Sequence, residues 1–363
     1  MTVVSVPRIA LAPGYTISRV IKGGWQLAGG HGAVERTRAH ADMAAFVDAG
    51  ITTVDCADIY TGVEELIGEF VATRSSGEVQ VHTKCVPDLD RLATLASQEL
   101  EALIDRSRRR LRVEALDLVQ FHWWDYAQGD WMTALETLAR LCERGSIRHL
   151  GLTNFDTPSV ERMLRAGVPI VSHQVQYSLL DRRPAHAMAP LCAPHGVGLL
   201  CYGALAGGFL GRRWLGRPEP QEPLENRSLT KYKLIIDETG GWARFQALLT
   251  LLDAIASRHG VGIGAVAVAW VLAQPGVAAV IAGARDASHL ADTVAGATLQ
   301  LTTEDRAQLE AFLSESPVPP GDVYALERDR EGRHGRIMRY NLNAPGSGST
   351  PPVAAGRTDI PRV

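Results

Sequence analysis

Short apolar runs rich in Val, Ile and Leu alternate with stretches of helical spacing along most of this chain. Strands are read at 20–25, 52–55, 79–84, 116–122, 147–154, 170–177, 197–202 and 277–282. Helices are predicted at 37–48, 64–74, 92–111, 131–144, 157–165, 183–193, 242–259, 264–272, 288–295 and 303–315. Several close on a glycine, such as Gly50, Gly145 or Gly167. Strands this apolar need cover on both faces, which a parallel sheet flanked by helices provides. Repeated β/α units over this length allow a doubly wound sheet or a (β/α)8 barrel. The dinucleotide fingerprint of a doubly wound sheet is missing. Its nearest counterpart, Ala28-Gly29-Gly30-His31-Gly32, lacks the G-x-G-x-x-G spacing. The expected fold is therefore an α/β (β/α)8 TIM barrel, a single domain over residues 1–317 with an extended C-terminal tail. Residues 318–343 mix aromatics with charges and are expected to lie over the barrel or contact a subunit. Residues 344–363, opening on Ala-Pro-Gly-Ser-Gly-Ser, are expected to be disordered. The polar stretch 211–240 reads as a long loop, either a lid or a mobile connection.

Composition narrows the function classes. Of 363 residues, 46% are hydrophobic and 21% charged, enough for a sizeable core. A net charge of -3 and a pI near 6.4 give no basic surface for nucleic acid and no charge block for a membrane. No run of 18 apolar residues is present, so no membrane span is expected. Five cysteines without C-x-x-C or Cys/His spacing predict free thiols and no metal site. No signal peptide is read at the N-terminus, and a cytoplasmic protein is expected. Association into a homo-oligomer is left open.

In such a barrel the site lies at the C-terminal ends of the strands. There the chain places Asp55 with Tyr60 just beyond, Lys84, His122, Thr153-Asn154, Gln174 with Tyr177, and Tyr202. A lone His or Lys at a strand end has an ordinary structural reading. Asp, Tyr, Lys and His together at one end of consecutive strands do not, because buried charge must be paired.

These residues sit in recognisable segments. They are Gly50-Ile-Thr-Thr-Val-Asp-Cys-Ala-Asp-Ile-Tyr60, His82-Thr-Lys84, Leu118-Val-Gln-Phe-His122 and Gly151-Leu-Thr-Asn-Phe155, then Gln174-Val-Gln-Tyr177, Tyr202-Gly-Ala-Leu-Ala-Gly-Gly208 and Ile281-Ala-Gly-Ala-Arg285. In this order, over roughly residues 17–315, the chain resembles an aldo-keto reductase. The resemblance implies a (β/α)8 barrel and an enzyme that reduces a small-molecule aldehyde or ketone with NAD(P)H, NADPH favoured and NADH possible. Hydride transfer to a carbonyl leaves an alkoxide, so a proton must be supplied. A free phenol, with a pKa near 10, is a poor acid at neutral pH, and a nearby ammonium lowers that pKa. The resemblance assigns Tyr60 as proton donor, Lys84 as the ammonium, Asp55 as its anchor and His122 as the group that orients the oxygen.

It also implies the coenzyme contacts. Thr153, Asn154 and Gln174 match positions that bind the nicotinamide amide, and Tyr202 the aromatic that stacks on the ring. Gly24 and Trp25 belong to the same mouth. Gly203, Leu205, Gly207 and Gly208 match the pyrophosphate loop, where glycines let amides approach phosphate. Arg285 suits a 2′-phosphate. Gly283 stands where some members carry a phosphate-binding lysine. His289, Asp292 and Thr293 replace the more usual Arg or Gln, Glu and Asn around the adenine. Trp25, Trp123 and Trp124 are expected at the mouth, with Tyr126, facing an apolar, ring-bearing or sugar substrate. The chemistry is reversible. An alcohol or sugar dehydrogenase, or an epimerase, is the alternative reading, and a coenzyme-sensing binding subunit the third.

Overall fold

Eight parallel strands close into a barrel in the computed structural model, which describes residues 5–29, 32 and 34–343. The expected disorder of 344–363 falls outside the described residues. The strands are β3 (Val20–Gly23), β4 (Thr53–Asp55), β5 (Gln80–Cys85), β6 (Leu116–Phe121), β7 (Ile147–Thr153), β8 (Ile170–Gln176), β9 (Gly198–Tyr202) and β10 (Val277–Gly283), with β10 pairing back to β3. Helices intervene in sequence between most of them, so the chain folds as a (β/α)8 TIM barrel. Among the described residues no single helix is long and apolar enough to cross a membrane.

Register decides which side chains meet. Gly23 pairs with Asp55, and Asp55 with His82. Lys84 pairs with Gln120, and Thr153 with Gln174. Strand side chains alternate with period two, so residues two apart share a face. Lys84 therefore stands one layer above His82, and Gln120 one layer above Leu118. Below lies an apolar cluster, in which Ile17, Ile21, Leu118, Leu200 and Ile281 are buried apart from the larger core between strands and helices.

That lower cluster includes a feature not read from the sequence. Residues ahead of the barrel form an antiparallel hairpin, β1 (Arg8–Ala12) and β2 (Tyr15–Ser18). Its turn is Pro13-Gly14, where Gly14 takes φ +73°. Leu11, Tyr15 and Ile17 close the lower end of the barrel. Tyr15 Oη meets His82 Nε2 at 3.1 Å inside it.

Most predicted helices stand within a few residues of their expected ends. They include α1 (Arg36–Asp48), α2 (Val63–Val71), α4 (Trp131–Glu143), α5 (Thr157–Arg165), α8 (Gly241–His259), α9 (Ile263–Leu272), α10 (Leu290–Thr298) and α11 (Thr303–Ser314). Two are broken. The stretch 92–111 is a 3-10 segment, Leu89–Thr94, followed by α3 (Ser97–Leu111). The Glu99 carboxylate accepts the Ala96 amide and so starts α3 afresh. The stretch 183–193 is a 3-10 turn, Arg183–Ala185, and a short α6 (Met188–Cys192). Pro184, Pro190 and Pro194 remove donors there, and Arg183 is drawn inward to acids. The loop predicted at 211–240 contains a twelve-residue helix, α7 (Arg227–Glu238), whose first turn is capped by Asn226 on the Leu229 amide.

Helices α2 and α3 cross at Gly68. A Cβ there would come within 2.8 Å of the Leu111 backbone. Gly68→Ala is expected to force the two helices apart and cost about 1–3 kcal/mol, an overpacking effect. Urea unfolding of the full chain measures it; an unchanged midpoint would mean that the crossing yields freely.

Candidate active site

One ion pair lies at the centre of the barrel's C-terminal end. Lys84 Nζ is 2.5 Å from Asp55 Oδ2, and both side chains are almost wholly buried. Lys84 also donates to the Cys56 carbonyl at 2.8 Å. The second Asp55 oxygen accepts Gln120 Nε2 at 2.9 Å and Gln174 Nε2 at 2.7 Å. The two amides are joined in turn, Gln174 Nε2 donating to Gln120 Oε1 at 2.7 Å. Burial alone would lower the Lys84 pKa; the Asp55 carboxylate and Tyr60 outweigh it and raise the pKa above that of a free lysine. The lysine is thus a cation at any working pH.

Tyr60 faces this cation, with Lys84 Nζ 5.1 Å from its ring centre. Its phenol follows a turn in which the Tyr60 amide bonds the Ala57 carbonyl. Burial raises its pKa above that of a free phenol, the Lys84 ammonium opposes this, and Asp55 adds to it. The net lowering expected from a neighbouring lysine is outweighed here by desolvation. The phenol therefore stays protonated at neutral pH, with the Lys84 ammonium beside it.

His122 completes the group. Its Nδ1 meets the Thr153 carbonyl at 3.1 Å, while Nε2 is buried without a hydrogen-bond partner. A carbonyl oxygen only accepts, so Nδ1 carries the ring proton and Nε2 presents a lone pair. Burial, then Arg328 and Lys84, hold its pKa down to about 3, so the ring is neutral. Trp124 packs edge-on to it with ring centres 4.3 Å apart, and Tyr324 at 5.7 Å.

The coenzyme candidates divide into two zones. Around the tetrad, Asn154 takes a left-handed backbone, φ +62°, and its Oδ1 accepts the Tyr202 hydroxyl at 2.9 Å. Thr153 is buried, with its carbonyl on His122. Gly24 leaves no room for a side chain: a Cβ would lie 2.7 Å from the Asp55 carbonyl oxygen. Trp25 stands edge-on to Tyr60 at 5.1 Å and donates to Ser228 Oγ at 3.2 Å. Beyond them Ala206, Gly207 and Gly208 are three consecutive residues of positive φ, and the Ala206 and Gly208 amides donate within the turn to the carbonyls of Gly203 and Leu205. Tyr232 packs against Gly203 and Gly207, and Leu205 against Gly264. In the second zone Gly283 and Arg285 are exposed, and Arg285 Nε lies 3.9 Å from Asp286. His289 and Asp292 are exposed as well; Thr293 is buried and bonded to the His289 carbonyl within its helix.

Trp123 is a correction. Its side chain is 1% exposed, packs on Phe121, and gives its indole proton to the carbonyls of Asp125 and Gln128. On leaving β6, alternate residues point to opposite sides, and Trp123 takes the helix side. The aromatic at the mouth is Trp124.

The family model described as "Aldo/keto reductase family" matches residues 19–314. The chain belongs to the aldo/keto reductase family. It is 32% identical over 254 residues to flagellar radial spoke protein 5 of Chlamydomonas reinhardtii, covering 59% of this chain and 48% of that protein. The chain thus spans about half the length of that relative. It is 29% identical to aldo-keto reductase YhdN of Bacillus subtilis, over 85% of this chain and 94% of the other. The solved glycerol dehydrogenase of Gluconobacter oxydans superposes with a TM-score of 0.72 at 25% identity, over 88% of this chain and 98% of that one.

Gln120, Arg183, Lys231 and Glu327 are site groups outside the expected set, whereas Tyr324 and Arg328 lie in the segment 318–343 expected over the barrel. Gln120 had a sequence signal: it precedes His122 by two residues on the same strand face. Tyr324, Glu327 and Arg328 lie past the family match. Arg183 pairs with Asp181 at 2.7 Å and Glu327 at 3.3 Å, all three nearly inaccessible. Lys231 of α7 lies 3.9 Å from Glu327 and 3.5 Å from the Tyr202 hydroxyl.

The ion pair makes its own prediction. Lys84→Met leaves the Asp55 carboxylate buried without a counter-ion, at a cost of about 3–5 kcal/mol at neutral pH. Urea unfolding of both proteins at pH 7 tests this, and an unchanged midpoint would argue against it.

Proposed function

We propose that this family member is an NAD(P)H-dependent oxidoreductase that reduces an aldehyde or ketone to an alcohol, with Tyr60 as proton donor. The observation that carries the reading is the Tyr60 ring facing the buried Lys84 ammonium, which is anchored on Asp55. The residues present fit a nicotinamide dinucleotide. Gly203, Gly207 and Gly208, all of positive φ, leave the loop after β9 bare of side chains where a phosphate would lie. Thr153, Asn154 and Gln174 would hold the carboxamide, Tyr202 the ring face, and Gly203, Leu205, Gly207 and Gly208 the pyrophosphate. Arg285 favours NADPH through its 2′-phosphate, with Gly283, His289, Asp292 and Thr293 near the adenine. When bound, that coenzyme supplies the hydride.

The chain's own residues supply the proton. Tyr60 gives its hydroxyl proton to the oxygen that turns from carbonyl to alkoxide. Lys84 stabilises the phenolate, and Asp55 holds Lys84 so that nothing reorganises during the step. Gln120 and Gln174 satisfy the other Asp55 oxygen and keep the carboxylate from rotating. Trp25, Trp124 and Tyr324 wall the site with aromatic faces, which suits an apolar or ring-bearing substrate.

A second direction is favoured by His122. Its bare Nε2 accepts a hydrogen bond, so it welcomes an alcohol hydroxyl more readily than a carbonyl oxygen. Oxidation of an alcohol, Tyr60 then acting as base, uses the same groups, and a similar solved structure is named a glycerol dehydrogenase.

Tyr60→Phe is expected to cut turnover by about 10²–10⁴-fold in either direction while NADPH binding persists. Coenzyme absorbance on a panel of carbonyls and alcohols, with fluorescence titration of NADPH, reads both; wild-type turnover in the variant would refute the assignment. Arg285→Ala is expected to weaken NADPH about tenfold more than NADH, roughly 1.4 kcal/mol. Equal losses would move the 2′-phosphate contact elsewhere.

A further inference from the structure

Arg328 lies fourteen residues past the family match, which ends at residue 314, yet its guanidinium reaches into the rim of the site. Nη1 donates to the carbonyl oxygens of Trp123 at 2.6 Å and Trp124 at 2.8 Å, and Nη2 to that of Asn154 at 2.8 Å. The first two carbonyls directly follow His122 at the end of β6. The third belongs to Asn154 itself, at the end of β7. One side chain thus ties together the two strand ends that carry His122 and Asn154.

We propose that Arg328 is a positioning residue of the reaction, supplied by the C-terminal segment, which fixes His122 and Asn154 in one geometry. The inference rests on the reading of the site under Proposed function. Its geometry is hard to obtain otherwise. A guanidinium spreads its N–H groups over a rigid planar fork and reaches the three carbonyls from two nitrogens, whereas a lysine would have to gather all three around one freely rotating ammonium. The plane is itself clamped, its central carbon 3.9 Å from the Tyr126 ring centre. The segment leading into it is anchored at two points. Asp322 accepts the Thr157 amide and hydroxyl at 2.7 and 2.9 Å, and the neighbouring Glu327 is paired with buried Arg183. The charge acts in the same direction, since a guanidinium at this rim disfavours a proton on His122. Loops beyond barrel strands are otherwise free to shift, and a displacement of about 1 Å in a site can cost about 10²-fold in rate.

The test uses the full chain and a substrate that the wild type turns over. Arg328→Met is expected to lower kcat by about 10²-fold, with KM and the NADPH dissociation constant moving by no more than about threefold. Arg328→Lys keeps the charge but not the fork and is expected to fall between. Arg328→Gly supplied with methylguanidine is expected to regain kcat saturably. Arg330→Ala, an exposed neighbour on the same segment, is expected to behave as wild type. Wild-type kcat in Arg328→Met, a loss confined to KM, or a kcat that methylguanidine does not recover would each overturn the positioning role. Failure of the underlying reading looks different: Tyr60→Phe would then match the wild type whatever Arg328 does.

Discussion

The buried Asp55–Lys84 pair is the interaction on which the rest of the site depends. Two opposite charges removed from water seldom stabilise a fold more than apolar residues of the same volume would. Their retention makes sense through what they do to Tyr60. A phenol in this position is made less acidic by burial, and only a fixed cation opposes that. A mobile lysine would have to be ordered during each turnover. Here Asp55 and the Cys56 carbonyl hold it in advance. The carboxylate is held in turn by two glutamine amides from β6 and β8. The arrangement therefore spans half the barrel, and it exists only because strand register brings Asp55, Lys84, Gln120 and Gln174 into one layer.

A second buried charge group closes the top. Asp181 and Glu327 face Arg183, and Lys231 balances the remaining negative charge. Two acids and two bases compensate one another, so the group can be dry without an unpaired ion. Its members come from the loop after β8, from α7 and from the C-terminal segment. That segment is thereby joined to the barrel by charge as well as by Tyr324 against His122. Its far end is tied separately: Asp88 accepts the amides of Leu342 and Asn343, and Asn343 donates to the Val86 carbonyl.

Much of this was legible in the sequence, and the reason is periodicity. Short continuous apolar runs alternating with helices of period 3.6 set the order of β/α units, and the barrel rule then placed Asp55, Lys84, His122, Asn154 and Gln174 at one end. What was not legible depends on contacts distant in sequence. Trp123 and Trp124 are adjacent indoles, and only the exit angle of β6 decides which of them faces His122. Helix α7 was hidden in a polar segment, although Leu229, Tyr232 and Ile236 have helical spacing and Asn226 is a ready cap. The hairpin ahead of the barrel was passed over because its strands are short and one carries charge. Tyr60 shows the limit of pairwise reasoning. The lysine was identified and its effect has the expected sign, yet burial is the larger influence.

The direction of the reaction is the point on which the tetrad is least informative, and His122 is where the structure speaks to it. A neutral imidazole has one proton. Here that proton is committed to the Thr153 carbonyl, which is itself fixed because the following residue, Asn154, is held in a left-handed turn. The nitrogen left facing the site is an acceptor, and burial with two nearby cations resists any second proton. An incoming carbonyl finds one donor, Tyr60, and no second from His122. A hydroxyl finds both a partner for its proton and a partner for its oxygen. Under the proposed function the rim would bind the alcohol better than the carbonyl, an asymmetry set by a backbone carbonyl on β7 rather than by the side chains of Asp55, Tyr60, Lys84 or His122.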